Sequence, residues 1–449
     1  MAIECNRSCK RGVLLCLGAG MIPPVAADDA LVNALAGGGQ FNVELRPRYE
    51  FVQQDGKPSD AHAFTLRTIL GYGTKPIGGL SAKLEFSNVV SLADEERYND
   101  TQNGLVRYPV VADPESTKVN QAFLNYAGLP DTQLRLGRQL VNLANQRFFG
   151  SVDWRQSPQT FDAVTVENKS LPNTTLFAGY LFRTKSSYAN FQLPAGLNLQ
   201  PMRTYVLHAD VEPVRNTHLV AYGYLYDDKS KPDGAASNIS SQTYGIRLDG
   251  AAPGAGKLTL DPSLLSTVKG IAPGQYRILY TAEYAKQSDY ADGRPDVDAS
   301  YWHLGAGVAA ARWYLRADYE VLGANDTATY AFQTPFATKH PLNGWADMFT
   351  ATPATGLKDL HVTASANVAG PLNLWAVYHQ YRSDAQGLHY GNELDLLATY
   401  QANKNLLLAA KYADYSAKDG EGAAFPGTTG LNADTRKAWM YLIFKYPGL

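Results

Sequence analysis

Phe41-Asn42-Val43-Glu44-Leu45-Arg46-Pro47-Arg48-Tyr49-Glu50 alternates without a break, with apolar residues at odd positions and polar or charged ones at even positions. A helix would spread such a set around its circumference. A strand, with its period of two, sorts it into one oily face and one charged face. The same alternation returns where Phe64, Leu66, Leu70 and Tyr72 oppose Thr65 and Arg67, and where Leu80, Ala82, Leu84 and Phe86 oppose Ser81, Lys83 and Glu85. It returns again where Trp313, Leu315, Ala317, Tyr319 and Val321 oppose Arg312, Arg316, Asp318 and Glu320.

Eighteen segments of this kind run from 41–52 to 434–445 in the sequence. Most are near the roughly 9–11 residues that a tilted membrane-spanning strand needs. The connections alternate too. Short ones fall near Leu129-Pro130, Ala310-Ala311 and Ala369-Gly370, and long ones near 91–116, 140–158, 184–202 and 323–357. Short turns at one end and long loops at the other predict an all-β fold, a transmembrane antiparallel barrel of an outer membrane. A soluble sandwich pair or a propeller is the competing architecture. No repeat of the propeller kind is present, and charged residues on so many strands suit a wet lumen. The segment 251–274 is long where a short turn is due, and reads as a periplasmic insertion or a plug.

All three cysteines, Cys5, Cys9 and Cys16, lie in a basic then apolar leader that ends Val25-Ala26-Ala27. Arg7, Lys10 and Arg11 followed by an apolar run too short to span a bilayer predict a signal peptide over 1–27, leaving 28–449 as one barrel domain without disulfides. Removing that leader leaves 37 basic against 41 acidic residues. That balance gives no basis for nucleic-acid binding, and outer-membrane lipid is the expected surroundings. Tyrosine, with 28 copies against 16 phenylalanines, suits boundaries between lipid and water.

If the apolar faces meet lipid, the charged faces line a channel. Alternation places Arg46, Arg48, Arg67, Arg247, Arg277, Arg312 and Arg316 there, beside nearly as many acids. Most of these are expected to pair across strands, and an unpaired arginine set at the narrowest level would select anions.

The stretch 131–163 carries the most recognisable pattern. Leu134-Arg135-Leu136-Gly137-Arg138-Gln139 closes one strand, a loop follows with Arg147-Phe148-Phe149-Gly150 and Asp153-Trp154-Arg155-Gln156, and Thr160-Phe161-Asp162 opens the next. This resembles the hallmark of the alginate export family of outer-membrane channels. The resemblance implies an eighteen-stranded monomer with an arginine-lined pore that passes the polyuronate alginate, with periplasmic export components as candidate partners. It points to Arg138 as the pore arginine. Arg135, Arg147, Arg155 and Asp162 lie in the same stretch, and their lumenal role rests on alternation or loop position. Guanidinium groups stay charged and grip carboxylates through two donors, which suits such a cargo.

Two features depart from this picture. Pro447-Gly448-Leu449 follow the last aromatic residue, where outer-membrane barrels usually end on one, and the wall is nearly neutral. The rival channel reading is an uptake porin for small anionic or aromatic solutes. An outer-membrane hydrolase would need a nucleophile beside His208 and Asp210, or His379 and Ser383, and none has a recognisable context. No cofactor is implied. Gly254-Ala255-Gly256-Lys257 lacks the spacing of a phosphate loop, the eight histidines show no metal-ligand spacing, and Asp292, Asp296 and Asp298 read as a solvated loop rather than a calcium site.

Overall fold

The computed structural model describes residues 37–93, 96–187, 199–252, 271–418 and 431–447. Its strands are β1 (Gln40–Gln54), β2 (Ala61–Gly73), β3 (Leu80–Ser91), β4 (Ser116–Leu129), β5 (Thr132–Gln139), β6 (Thr160–Asn168), β7 (Thr174–Lys185), β8 (Gln200–Val214) and β9 (Thr217–Asp228). They continue as β10 (Ser241–Ala252), β11 (Tyr276–Asp289), β12 (Asp298–Ala310), β13 (Trp313–Leu322), β14 (Leu357–Ala369), β15 (Leu372–Arg382), β16 (His389–Asn403), β17 (Leu406–Ala417) and β18 (Thr435–Tyr446). All eighteen expected strands occur in the expected order, with ends within three residues of those read from alternation. The expectations on residues 1–27, and on most of 251–274, lie outside the described residues.

Each strand pairs antiparallel with its neighbour in sequence, and β1 also pairs with β18. Glu50 therefore sits opposite Ala63 on one side and Trp439 on the other. Closure leaves the eighteen strands without an edge, which is the condition for placing a sheet in lipid. The short connections are tight turns with Asp131 (φ 49°), Asn216 (φ 62°) and Gly370 (φ 52°) in the left-handed region that such reversals require.

Burial follows the alternation. On β13, Trp313, Leu315 and Tyr319 are exposed while Tyr314, Arg316, Asp318 and Glu320 are buried. Apolar residues therefore face outward along strand after strand, and only a hydrocarbon surrounding accounts for so large an oily surface. No helix among the described residues is long and apolar enough to cross a membrane. The strands do that work.

The interior is filled unevenly. Two connections at the long-loop end, 140–159 and 323–356, fold into the barrel and join where the Gly150 N–H donates to the Phe336 carbonyl at 2.9 Å. Phe148, Phe149, Phe332 and Phe336 from these loops pack against Tyr222, Tyr224 and Tyr226 of β9 and Tyr301 of β12. The three β9 tyrosines are two residues apart, so one inward face carries them all. Tyrosine thus serves two surfaces. Tyr205, Tyr244 and Tyr284 are exposed on the outside, whereas Tyr222, Tyr301 and Tyr381 are buried inside with their hydroxyls bonded to Glu283, Glu320 and the Asn343 carbonyl. The aromatic mass continues through Phe349 to Tyr381, Tyr390 and Tyr415 of β15–β17.

Candidate functional site: the pore constriction

Register sets Arg46 of β1 directly opposite Arg67 of β2, with Arg48 two residues further along the same inward face. Three adjacent guanidinium groups repel one another unless acceptors come between them. The loop segment Asp153–Gln156 supplies these acceptors. Arg46 donates through Nη1 and Nη2 to the Asp153 carbonyl, both at 3.0 Å, and through Nε to Gln156 Oε1 at 3.0 Å. Arg67 forms ion pairs with Glu44 and with the Asp153 carboxylate, each at 2.7 Å. Arg48 pairs with Asp113 and donates to the Trp154 carbonyl at 2.7 Å. Burial raises the Asp113 carboxyl, but the neighbouring Arg48 and Arg155 outweigh it and hold the group below its ordinary value.

The second loop locks onto the first. Arg155 lies 2.9 Å from Asp347, and His340 Nδ1 lies 2.8 Å from the same carboxylate. The His340 ring stacks on Trp154 with planes 8° apart. Arg147, fully buried, pairs with Glu320 of β13 and donates to Asn343 Oδ1 at 2.7 Å. Lys411 of β17 points its ammonium at three indoles, 3.7 Å from the Trp345 ring, 5.4 Å from Trp439 and 5.6 Å from Trp154. Burial and the Lys411 ammonium push His340 far below the usual imidazole value, so this ring is neutral at pH 7. For Asp347, burial works upward, and the Nδ1–H bond from His340 together with the charges of Lys437 and Arg155 more than reverses it. Burial likewise pushes Lys339, on the same loop, down to about 8.

Three cavities follow β1 through the barrel. The one at the long-loop end, about 570 Å³, is lined by Val52, Gln54, Arg155 and His340. The middle one, about 180 Å³, holds Arg46, Arg48, Lys411 and Lys445 beside Trp154, Trp439 and Tyr441. The third, about 510 Å³, opens toward the short-turn end at Gln40, Asn42 and Lys83. Trp154 borders both the outer and the middle cavity, and Asp153 both the middle and the inner. The tip of the first loop therefore divides the path twice.

Of the residues singled out in the sequence, Arg46, Arg48, Arg67 and Arg155 meet at this constriction, while Arg147 sits across the lumen on Glu320 of β13. Arg247 and Arg316 face the lumen on the opposite wall, paired with Glu283 at 2.7 Å and Asp318 at 2.6 Å. Arg277 is on the same inner face. Arg135 is half-buried low on the inner wall, bonded to Gln133 at 2.9 Å. Three residues lie elsewhere. Arg312 is exposed in the turn between β12 and β13, one position before the strand begins. Arg138 and Asp162 are opposite one another on β5 and β6, on the same side as the exposed Leu136 and Val164. They face outward, because the alternation that puts Arg135 inside puts Arg138, three residues on, outside.

Sequence reasoning passed over His340, Trp345 and Asp347, which lie on a loop without strand periodicity. Alternation places Lys411 on the inward face, at an odd-numbered position between the even-numbered Leu408 and Ala410 on one side and Tyr412 on the other. The acidic loop residues Asp292, Asp296 and Asp298 each pair with a base, Lys229, Arg294 and Lys286 respectively. Ser383 Oγ is bonded to the Leu388 backbone and His379 to Asp359, so His379 and Ser383 do not pair, and Asp210 is bonded to His218.

Barrel, lipid-facing surface and charged constriction define an outer-membrane channel. Residues 40–430 match the profile of the family described as alginate export, so the chain belongs to that family. No curated protein matches it significantly. Among solved structures it is similar to OccK9 (OpdG) of Pseudomonas aeruginosa, with TM-score 0.64 and 13% identity over 91% of this chain and 98% of that one. It is also similar to OccAB2 of Acinetobacter baumannii, with TM-score 0.63 and 13% identity over 90% and 98%. The third is Pseudomonas aeruginosa OpdK in complex with vanillate, with TM-score 0.61 and 12% identity over 90% and 98%.

Proposed function

We propose that this channel passes small carboxylated solutes, aromatic ones among them, in preference to a polyuronate chain. The observation that carries this reading is the middle cavity. It has room for about 180 Å³, and combines the guanidinium groups of Arg46 and Arg48 with the faces of Trp154, Trp439 and Tyr441. A carboxylate is served by the guanidiniums and an aromatic ring by the indoles. The loops that close this space are held from both sides by buried ion pairs, which favours solutes entering one at a time over a threaded polymer. The vanillate complex of OpdK, a fold relative, supports the same solute class, since vanillate is a small aromatic acid.

Alginate transport is the second reading, favoured by the family match over residues 40–430. Single-channel recordings of the refolded protein separate the two. Millimolar benzoate-class acids are expected to interrupt the anion current and mannuronate oligomers to leave it unchanged. Block by the oligomers alone would overturn the proposal in favour of the polymer.

A further inference from the structure

On the wall beside the constriction, β13–β16 gather a group that sequence spacing does not announce. Asp359 and His361 are two residues apart on β14 and share its inward face. His361 is directly opposite His379 of β15. Asp359 Oδ2 lies 2.9 Å from His379 Nδ1 and 3.2 Å from His361 Nδ1. One ligand-type atom from each of the three residues falls within 4.8 Å of the others. A tetrahedral ion with bonds of about 2.0–2.1 Å sets its ligand atoms about 3.3–3.4 Å apart. The two separations are close to that edge.

The outer nitrogens of both rings also face carboxylates. His379 Nε2 is 3.8 Å from Asp395 Oδ2, and His361 Nε2 is 3.7 Å from Asp318 Oδ2. A carboxylate behind an imidazole fixes the tautomer and raises the basicity of the ring as a ligand.

Charge supplies an independent argument. Glu44, Glu50, Glu283 and Glu320, elsewhere on the inner wall, each pair with an arginine. Among the described residues, no arginine or lysine forms an ion pair with Asp359, Glu393 or Asp395, although all three are at most 1% exposed. Asp359 Oδ1 is buried without a hydrogen-bond partner. Carboxylates this deep need a counter-charge.

We propose that Asp359, His361 and His379 bind a divalent first-row transition cation of the zinc class, with Asp318 and Asp395 orienting the two imidazoles. Two nitrogens and one carboxylate oxygen suit such an ion and leave a position for water or a solute carboxylate. His361, the least covered of the three at 17%, marks the side open to the lumen. The bound cation turns this acidic part of the wall into one that attracts anions.

The test is zinc uptake by the full chain, refolded in detergent, stripped with chelator and alkylated so that Cys5, Cys9 and Cys16 take no metal. Calorimetry is expected to give one zinc per barrel. His379→Ala should abolish uptake, Asp395→Asn should weaken it about tenfold, and His208→Ala, on the distant β8, should leave it unchanged. Absence of uptake by the wild type, or equal uptake by His379→Ala, overturns the proposal. Where a variant fails to refold, the visible spectrum of cobalt-loaded wild type decides: ligand-field bands of a low-coordinate nitrogen–oxygen site support the assignment, and the spectrum of hydrated cobalt overturns it.

Discussion

Arg138 holds Asp162 through two parallel bonds, Nε to Oδ1 at 2.7 Å and Nη2 to Oδ2 at 3.0 Å, on the outer face of the barrel. A third contact, from Nη1 to the Val119 carbonyl at 3.4 Å, ties in β4. The arginine thus fastens three strands at the level where the chain leaves β5 for the lumen. Its neighbour Gly137 has φ 128°, and a Cβ there would come within 2.3 Å of the Ala122 carbonyl oxygen, so the step admits only glycine. The Gly-Arg-Gln stretch sets the departure point of the pore loop without lining the pore.

Arg138→Ala should accordingly destabilise the barrel and leave solute block intact. It removes a bidentate pair and leaves Asp162 uncompensated on the lipid side, which costs about 3 kcal/mol. Thermal unfolding followed by the heat-modifiable gel shift reads the loss. A weaker block with unchanged unfolding would instead assign Arg138 to the solute path.

Alternation made the wall legible, because a period of two depends only on which residues follow which. Arg46, Arg48 and Arg67 could be placed inside from Phe41–Tyr72 alone. What could not be read was any relationship between distant strands or loops. His361 meets His379 through the β14–β15 register, although no short motif joins them. His340 and Asp347 reach Arg155 across nearly two hundred residues of chain, on a loop whose conformation is set by what it packs against. Arg138 misled for a different reason: its motif marks a structural staple, and the bulge between β6 and β7 at Asp162 and Ala163 shows how much local irregularity that corner absorbs.

Trp154→Ala should widen the path where the outer and middle cavities meet. The indole separates them while stacked on His340 and lying beside Lys411. Its removal is expected to raise single-channel conductance about twofold, since a constriction dominates the resistance of a pore. It should also weaken block by aromatic acids more than block by aliphatic ones of equal charge. Equal conductance in the two proteins would place the bottleneck elsewhere.

Arg147→Ala strikes the joint between the two loops. Its guanidinium is buried between Glu320 and Asn343, and its loss leaves Glu320 charged and unpaired. The cost is about 3–5 kcal/mol. The strands need not melt, because the affected groups belong mainly to loops inside the barrel. The expected result is frequent open-channel noise and faster proteolysis within 140–159 and 323–356, in a barrel whose strand signal in circular dichroism is unchanged. Arg147→Lys keeps the charge but not the fork, and should recover only part of the quiet state.

Acid should open the constriction. With the loops in place, His340 is held far below its ordinary value by burial and Lys411, while Asp347 is held below its own by His340, Lys437 and Arg155 against the upward effect of burial. With the loops released, both return to about 6.5 and about 3.9. A depressed imidazole favours the closed form fully above about pH 6.5, and that preference is lost as pH falls below it. A depressed carboxyl favours the closed form above about pH 3.9 and loses that preference on further acidification, so the two effects have the same sign. Conductance should therefore rise progressively between about pH 6.5 and 4. His340→Gln, which keeps a planar polar group against Trp154 but cannot titrate, should flatten the upper part of that rise and leave the Asp347 limb. A pH profile identical to that of the wild type would remove His340 from the gate.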